Sequence, residues 1–343
     1  MTRIALVSPF ILPFSCGNSV FAERLRDGLD TRGYEVALFD CRSGAAGRAL
    51  QFAPHLLHSV NAERPQQWIK EFFLQGKKIP WVITLTGTDY NTWCGVTVPP
   101  SPLLESFKQA DALVVFHADA LQTVSRCLPS AAGKIHVIAQ GVSPPVTGSD
   151  AQLVRQRYGI SRETVIFLMV AGIRPVKNIA AAIEAFCTVE QEVADAALLL
   201  VGPVIDRSEA ELVFKLGSTL RRFQYLGEMP PAMVRELMAA SDVLLNTSLH
   251  EGMPGAVLEA MAAGLPVIAS AVAGNRALVR DNENGLLFSR DDPGELINAV
   301  VRLSADSDLR ARLGGEGRKI AAACYSVEQE LEKYQRLYCS LLG

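Results

Sequence analysis

Little in these 343 residues points to a metal centre, a disulfide framework or a nucleic-acid surface. The cysteines (Cys16, Cys41, Cys94, Cys127, Cys187, Cys324 and Cys339) are scattered, odd in number and form no CxxC pair. That pattern argues against structural disulfides and zinc and favours a reducing cytosol. No acidic cluster has metal-ligand spacing. The 33 basic and 36 acidic residues contain no polybasic block, so neither nucleic acid nor an anionic membrane is indicated as the main partner. No apolar stretch is long enough to span a bilayer, and we expect no transmembrane segment. The run from Ile4 to Phe14 leads into Ser15-Cys16-Gly17, faintly like a lipoprotein signal. Two prolines interrupt it and Phe14 is too large beside a cleavage site, so it reads as a strand and a loop. Internal repeats and low-complexity tracts are absent.

What is present is apolar material on a two-domain scale. At 49% hydrophobic residues, a chain this long exceeds one ordinary core and predicts about two domains. In the first half, strands are expected at 3–8, 35–39, 81–85, 112–116 and 134–138. A helix is expected over Ser19–Arg32, ended by Gly33. Pro144 to Asp150 is rich in Pro, Gly and Ser and reads as a linker. Alternation then restarts with strands at 165–170, 196–201, 224–226, 242–246 and 266–270. Strands separated by helices imply parallel sheets, hence an α/β chain of two Rossmann-like halves facing each other across a cleft. The expected domains are 1–145 and 146–325, followed by an amphipathic C-terminal helix over 326–343. Among the histidines, His117 reads as a helix cap, while His55, His58 and His136 lie in apolar runs of strand character.

The densest signal runs from Leu249 to Ile268. Two glutamates, Glu251 and Glu259, lie eight residues apart between two apolar strands. Strand, loop of small residues, helix and strand make a βαβ unit, with the loop at the carboxyl end of the sheet, where open α/β sheets bind ligands. The amides of Gly252, Met253, Pro254 and Gly255 would open the helix and aim its positive end at an anion. A phosphate cradle flanked by two carboxylates suits a sugar nucleotide: amides hold the diphosphate, and carboxylates accept from sugar and ribose hydroxyls. A second constellation, Gly172-Ile173-Arg174-Pro175-Val176-Lys177, follows the strand at 165–170. Arginine and lysine three apart would clamp a diphosphate and stabilise negative charge developing on a leaving group.

Glu-Gly-x-Pro leading to Glu-Ala-Met-Ala-Ala-Gly-x-Pro-Val-Ile resembles the Glu-x7-Glu signature of the retaining GT-B glycosyltransferases of family 4. The resemblance is dense in the second half and thin in the first. Gly17-Asn18, Thr86-Gly87-Thr88-Asp89 and Arg174-Pro175-Val176-Lys177 together resemble a smaller subgroup, which includes the selenosugar synthases and glycosyltransferase 1 domain-containing proteins. It implies a GT-B fold in which the second half binds the donor and the first half provides most of the acceptor surface. The final helix would cross back to the first domain. The implied catalytic residues are Glu251, Lys177 and Arg174. Donor contacts would come from Gly17 and Asn18 in a glycine-bearing loop, from Gly202 near the nucleobase and ribose, and from Gly252, Met253, Pro254, Gly255 and Glu259. Thr86 and Asp89 would face the acceptor side.

This chain departs from the family pattern in three places. Thr86 stands where relatives often carry His. Gly172 stands where most carry the arginine. Ala273-Gly274-Asn275-Arg276 lacks the acidic residue of Gly-Gly-x-x-Glu. The expectation is a cytoplasmic, metal-independent transferase moving sugar, with retention, from a nucleoside diphosphate sugar, UDP favoured, and needing no cofactor. The acceptor is left open among small molecules, saccharides and lipids, as is the oligomeric state. Closure about the linker would exclude water. Two alternatives stay open at this point: a sugar-nucleotide-binding protein without turnover, and another GT-B reaction such as a phosphorylase or epimerase.

Overall fold

A computed structural model describes the chain except for residues 15, 44–45, 77, 95–99, 145–149 and 194. The chain forms two compact units, one of Met1–Gly141 with Val327–Gly343 and one of Val142–Ser326. Most of the expected linker, residues 145–149, lies outside the described residues. The division falls between Gly141 and Val142, slightly before the expected boundary. Val142 is held within the second unit: its N–H donates to the Tyr325 carbonyl at 2.8 Å, and it bridges Ser326 in parallel.

The first unit contains β1 (Thr2–Ser8), β2 (Tyr34–Asp40), β3 (Leu56–Val60), β4 (Trp81–Thr84), β5 (Ala112–Val115) and β6 (Ile135–Val137). They form one sheet in the order β2-β1-β3-β4-β5-β6, every pair parallel. β3 is fully buried although it carries His58 and Ser59. Those polar groups are satisfied: His58 shares hydrogen bonds with Tyr338 Oη (2.6 Å) and Thr84 Oγ1 (2.8 Å), and Trp81 Nε1 donates to Ser59 Oγ (3.0 Å). Thr84 Oγ1 in turn meets Tyr334 Oη at 2.9 Å. The helix Val327–Leu342 thus belongs to the first unit. It adds an ion pair from Glu330, nearly fully buried, to Arg24 at 3.1 Å. His117 caps the helix Ala118–Cys127, its Nδ1 accepting from the Ala120 N–H at 3.2 Å.

The second unit contains β7 (Val165–Val170), β8 (Ala196–Val201), β9 (Phe223–Tyr225), β10 (Val243–Asn246), β11 (Val267–Ser270) and β12 (Gly285–Phe288). Their order is β12-β11-β10-β7-β8-β9, again parallel throughout. Both faces of such a sheet are covered by helices, which is why β8 is an unbroken apolar run buried at every position. The strand β12 was not anticipated. It is four residues long, opens on Gly285 and follows a polar turn, so its composition carries little strand character. Gly285 is nevertheless needed there, since a Cβ would lie 2.6 Å from the Val267 carbonyl oxygen.

One expected boundary is corrected. The first helix spans Gly17–Asp30, so Gly17 and Asn18 form its opening turn and are not a loop. Cys16 and Ser19 close that end reciprocally: Cys16 N–H donates to Ser19 Oγ at 2.9 Å, and that hydroxyl donates to the Cys16 carbonyl at 2.9 Å. Ser19, the third residue of the helix, thus satisfies the backbone N–H of the capping Cys16.

Candidate active site

Strand order in the second unit reverses between β7 and β10, the adjacent pair from which the chain winds outward in both directions. Loops leaving such a pair diverge and open a crevice at the carboxyl ends. After β7 the chain makes a single turn, Pro175–Lys177, and enters the helix Ile179–Glu192 through Asn178 at φ +46°. After β10 it runs from Asn246 to the helix Gly255–Ala263. The two connections are stitched together. Thr247 Oγ1 is placed to donate to the carbonyls of Lys177 (3.0 Å) and Asn178 (2.9 Å), and Leu249 N–H donates to the Val176 carbonyl at 2.8 Å.

This stitching brings Lys177 Nζ to 2.7 Å from Glu251 Oε1, with the two side chains 16% and 10% exposed. The same oxygen accepts from Ser248 Oγ at 2.6 Å and from Asn246 Nδ2 at 3.2 Å. Burial by itself would raise the Glu251 pKa. The Lys177 ammonium, with the hydrogen bonds from Lys177, Ser248 and Asn246, outweighs it and holds the carboxyl below its ordinary value. Glu251 is therefore an oriented, ionised carboxylate at the mouth of a helix.

That orientation is braced from behind. Asn246 Oδ1 accepts from the Ser248 N–H (3.1 Å) and from Asn275 Nδ2 (3.3 Å), and Ser270 Oγ donates to the Ser248 carbonyl at 2.6 Å. A Cβ on Gly274 would lie 2.6 Å from the Glu251 carbonyl oxygen, so only glycine lets this segment pass. Sequence reasoning missed Asn246, Ser248, Ser270 and Asn275. Their one signal was polarity at the carboxyl ends of two apolar strands, where a fully buried strand gives way to a site.

The remaining expected positions divide. Arg174 is half-buried and heads the turn that carries Lys177. At Gly172, the family's arginine position, a Cβ would lie 2.5 Å from Ile205 Cδ1, so that seat is filled from a neighbouring loop. Gly202 sits at φ +145°, where a Cβ would lie 2.2 Å from the Ala171 carbonyl oxygen; its residue type is fixed by the close approach of the ends of β7 and β8. Gly252, Met253 and Pro254 are buried, and the helix begins only at Gly255 with Pro254 flanking it. The expected series of amides is corrected accordingly. Proline has no N–H, so the helix mouth offers the amides of Gly255, Ala256 and Val257.

Glu259 stands four residues after Gly255, on the half-exposed stripe shared with Ala256 and Ala263. It also borders a cavity of about 480 Å³ at the amino ends of β10 and β11, with Arg235, Asp242, Arg310 and Arg318 in the wall; Glu251 is not part of that wall.

In the first unit Asp89 is corrected. It is fully buried, accepts from the N–H groups of Ala62, Thr86 and Gly87 at 2.9 Å each, and presents no face to an acceptor. Burial pushes its pKa up to about 6 against those hydrogen bonds. It fixes the loops after β3 and β4. Thr86 is half-buried and accepts from Asn61 Nδ2 at 3.0 Å, while Gly17 and Asn18 are exposed and half-buried at a helix start.

The family model for glycosyl transferases group 1 matches residues 150–320, which include the β7–β10 crevice and the Glu251–Glu259 helix. Glycosyltransferase 1 domain-containing protein 1 of Xenopus tropicalis is 27% identical over 330 residues, covering 95% of this chain and 94% of that protein. Sucrose-phosphate synthase of Thermosynechococcus elongatus superposes with a TM-score of 0.81 at 21% identity, covering 99% of each chain. HepE of Anabaena, solved in complex with UDP and glucose, superposes with a TM-score of 0.79 at 17% identity, covering 99% of this chain and 100% of that one. At these identities the two structures share the fold. With the sequence match across residues 150–320 and along nearly the whole of a relative, this chain belongs to the glycosyl transferases group 1 family and is a glycosyltransferase with a GT-B fold.

Proposed function

We propose that the second unit binds a nucleoside diphosphate sugar, UDP-linked by preference, and that the enzyme transfers the sugar to its acceptor with retention of configuration. The observation that carries this reading is the Lys177–Glu251 pair at the point where strand order reverses. A buried carboxylate kept ionised by one ammonium is suited to accept hydrogen bonds from donor sugar hydroxyls. The ammonium lies beside the helix mouth, where the Gly255, Ala256 and Val257 amides add positive potential for the departing diphosphate. Arg174 would join that clamp, and Glu259 would receive the ribose.

In this reading the acceptor attacks the anomeric carbon on the face from which the diphosphate leaves. The anomeric carbon–oxygen bond to the phosphate breaks, and the leaving phosphate oxygen takes the acceptor's proton. The charge on the leaving group is met by Lys177 and helix amides, so transfer is expected to persist in chelator. Among the described residues no helix is long and apolar enough to cross a membrane; we propose a cytosolic site of action.

The test is a thermal-shift panel of UDP-, GDP-, ADP- and dTDP-sugars with and without EDTA, followed by donor hydrolysis or transfer with the responsive donor. A UDP-sugar shift that survives EDTA, with turnover lost in Glu251→Ala, is expected. A donor that binds but never turns over would replace the transferase reading with one of binding alone.

A further inference from the structure

The first unit has its own reversal of strand order, between β1 and β3, where β2 lies on one side of β1 and β3 on the other. Crevices at such points open at the carboxyl ends. Three connections meet there. The one after β1 contributes Phe10 and Phe14, whose rings stack with centroids 4.8 Å apart at 27°. The one after β2 contributes Arg42, and the one after β3 contributes Arg64. The Arg42 guanidinium lies 4.6 Å from the Phe10 centroid and 5.9 Å from that of Phe14; the Arg64 guanidinium lies 5.1 Å from the Phe10 centroid. Phe10 and Phe14 are half-buried, and both arginines are exposed. The Phe10 backbone is pinned by Ser8 Oγ, which donates to its carbonyl at 2.7 Å.

Two guanidinium groups on one ring repel each other, and a single carboxylate answers them. Asp40 grips Arg42 in two-pronged fashion, Nη2 to Oδ2 at 2.6 Å and Nε to Oδ1 at 3.0 Å. Among the described residues no carboxylate lies within ion-pair distance of Arg64. The ring face offsets part of that charge and orients the guanidinium plane, leaving its fork of donors for a ligand. One net positive charge over a half-buried aromatic floor fits a small molecule that presents an anionic group beside an apolar or sugar-like body.

We propose that the acceptor carries a carboxylate or phosphate group and that Arg64, flanked by Arg42, receives it above the Phe10 ring. The assignment of this ligand as the acceptor rests on the transferase reading given above; the anion site itself does not.

Titration calorimetry on the full chain, with UDP, succinate, glycerol 3-phosphate and neutral glycerol as separate probes, tests it. Wild type is expected to bind at least one of the two anions and not glycerol. Arg64→Gln should weaken that anion tenfold or more while leaving UDP affinity unchanged, and Arg64→Lys should restore part of the loss. Succinate and glycerol 3-phosphate identify which anion the acceptor bears. Equal anion binding by wild type and Arg64→Gln would overturn the proposal, as would the absence of anion binding in a protein that binds UDP. If wild type failed to bind UDP yet lost its anion with Arg64→Gln, the donor reading would fall and the anion site would stand. Arg64 is exposed and on a loop, so an unchanged melting temperature of the unliganded variant checks its folding.

Discussion

Lys177 and Glu251 are 74 residues apart in sequence, yet their ammonium nitrogen and carboxylate oxygen meet at 2.7 Å across the ends of two adjacent strands. Each sits on a connection that the other connection holds in place. Opposite charges in a mostly buried setting make each residue dependent on its partner.

Lys177→Ala leaves a buried carboxylate without its counter-charge. Breaking such a pair costs about 3–5 kcal/mol of stability, and loss of one electrostatic contact to the leaving group costs about 2–4 kcal/mol in kcat/KM. Lys177→Ala/Glu251→Gln should recover most of the stability and none of the turnover. Chemical denaturation and donor turnover measured on the same preparations check both. Recovery of activity in the double variant would remove Lys177 from the chemistry.

Ser248→Ala and Asn246→Ala each remove one donor from Glu251 Oε1. Hydrogen bonds to charged groups contribute about 1.5–3 kcal/mol. The expected result is a lower kcat with nearly unchanged affinity for free UDP, because these side chains orient the carboxylate. A loss of UDP affinity equal to the loss of kcat would contradict a positioning role.

Gly274→Ala pushes a methyl group into the Glu251 main chain. Overpacking of this kind costs about 1–3 kcal/mol. The loop bearing Glu251 should shift, lowering kcat and donor affinity together, while the first unit is untouched. Retention of full activity would mean the segment yields without moving the carboxylate.

His58 gives the first unit an acid-sensitive joint. Burial pushes its pKa down to about 3 from 6.5, so the folded chain keeps it neutral while the unfolded chain takes up a proton below about 6.5. At this site the unfolded state then binds more protons, and the His58 contribution to stability falls as pH drops from about 6.5 toward 3. Asp89, raised to about 6 in the folded chain from 3.8, works in the opposite direction below about 6. Glu251 acts with the same sign as His58 in a lower window. Its stabilisation is present above the ordinary 4.5 and is lost as pH falls through its depressed folded value. His58→Gln should remove the His58 loss, so that the variant's melting temperature rises relative to wild type as pH falls from about 6.5 to 4.5. An unchanged profile would show that His58 does not set the acid limit.

The sequence by itself determined the alternation of strand and helix, the two-unit scale and the helix that follows Glu251. Those features are written in local periodicity: runs such as Ala196–Val201 have no reading other than a strand covered on both faces. It also placed Lys177 and Glu251 at strand ends, because βα connections are short. Local pattern carries no record of which strands become neighbours. Only the order β12-β11-β10-β7-β8-β9 sets the connection after β7 against the one after β10 and makes an ion pair of two residues read separately. The same holds for errors of role. Thr86 to Asp89 reads as a polar site loop, but tertiary packing turns the Asp89 carboxylate inward to three backbone N–H groups, since a buried turn must satisfy its amides somewhere. Asn246 reads as the end of a strand, and Ser248 and Asn275 as ordinary loop residues, until the fold points all three at one carboxylate and its support.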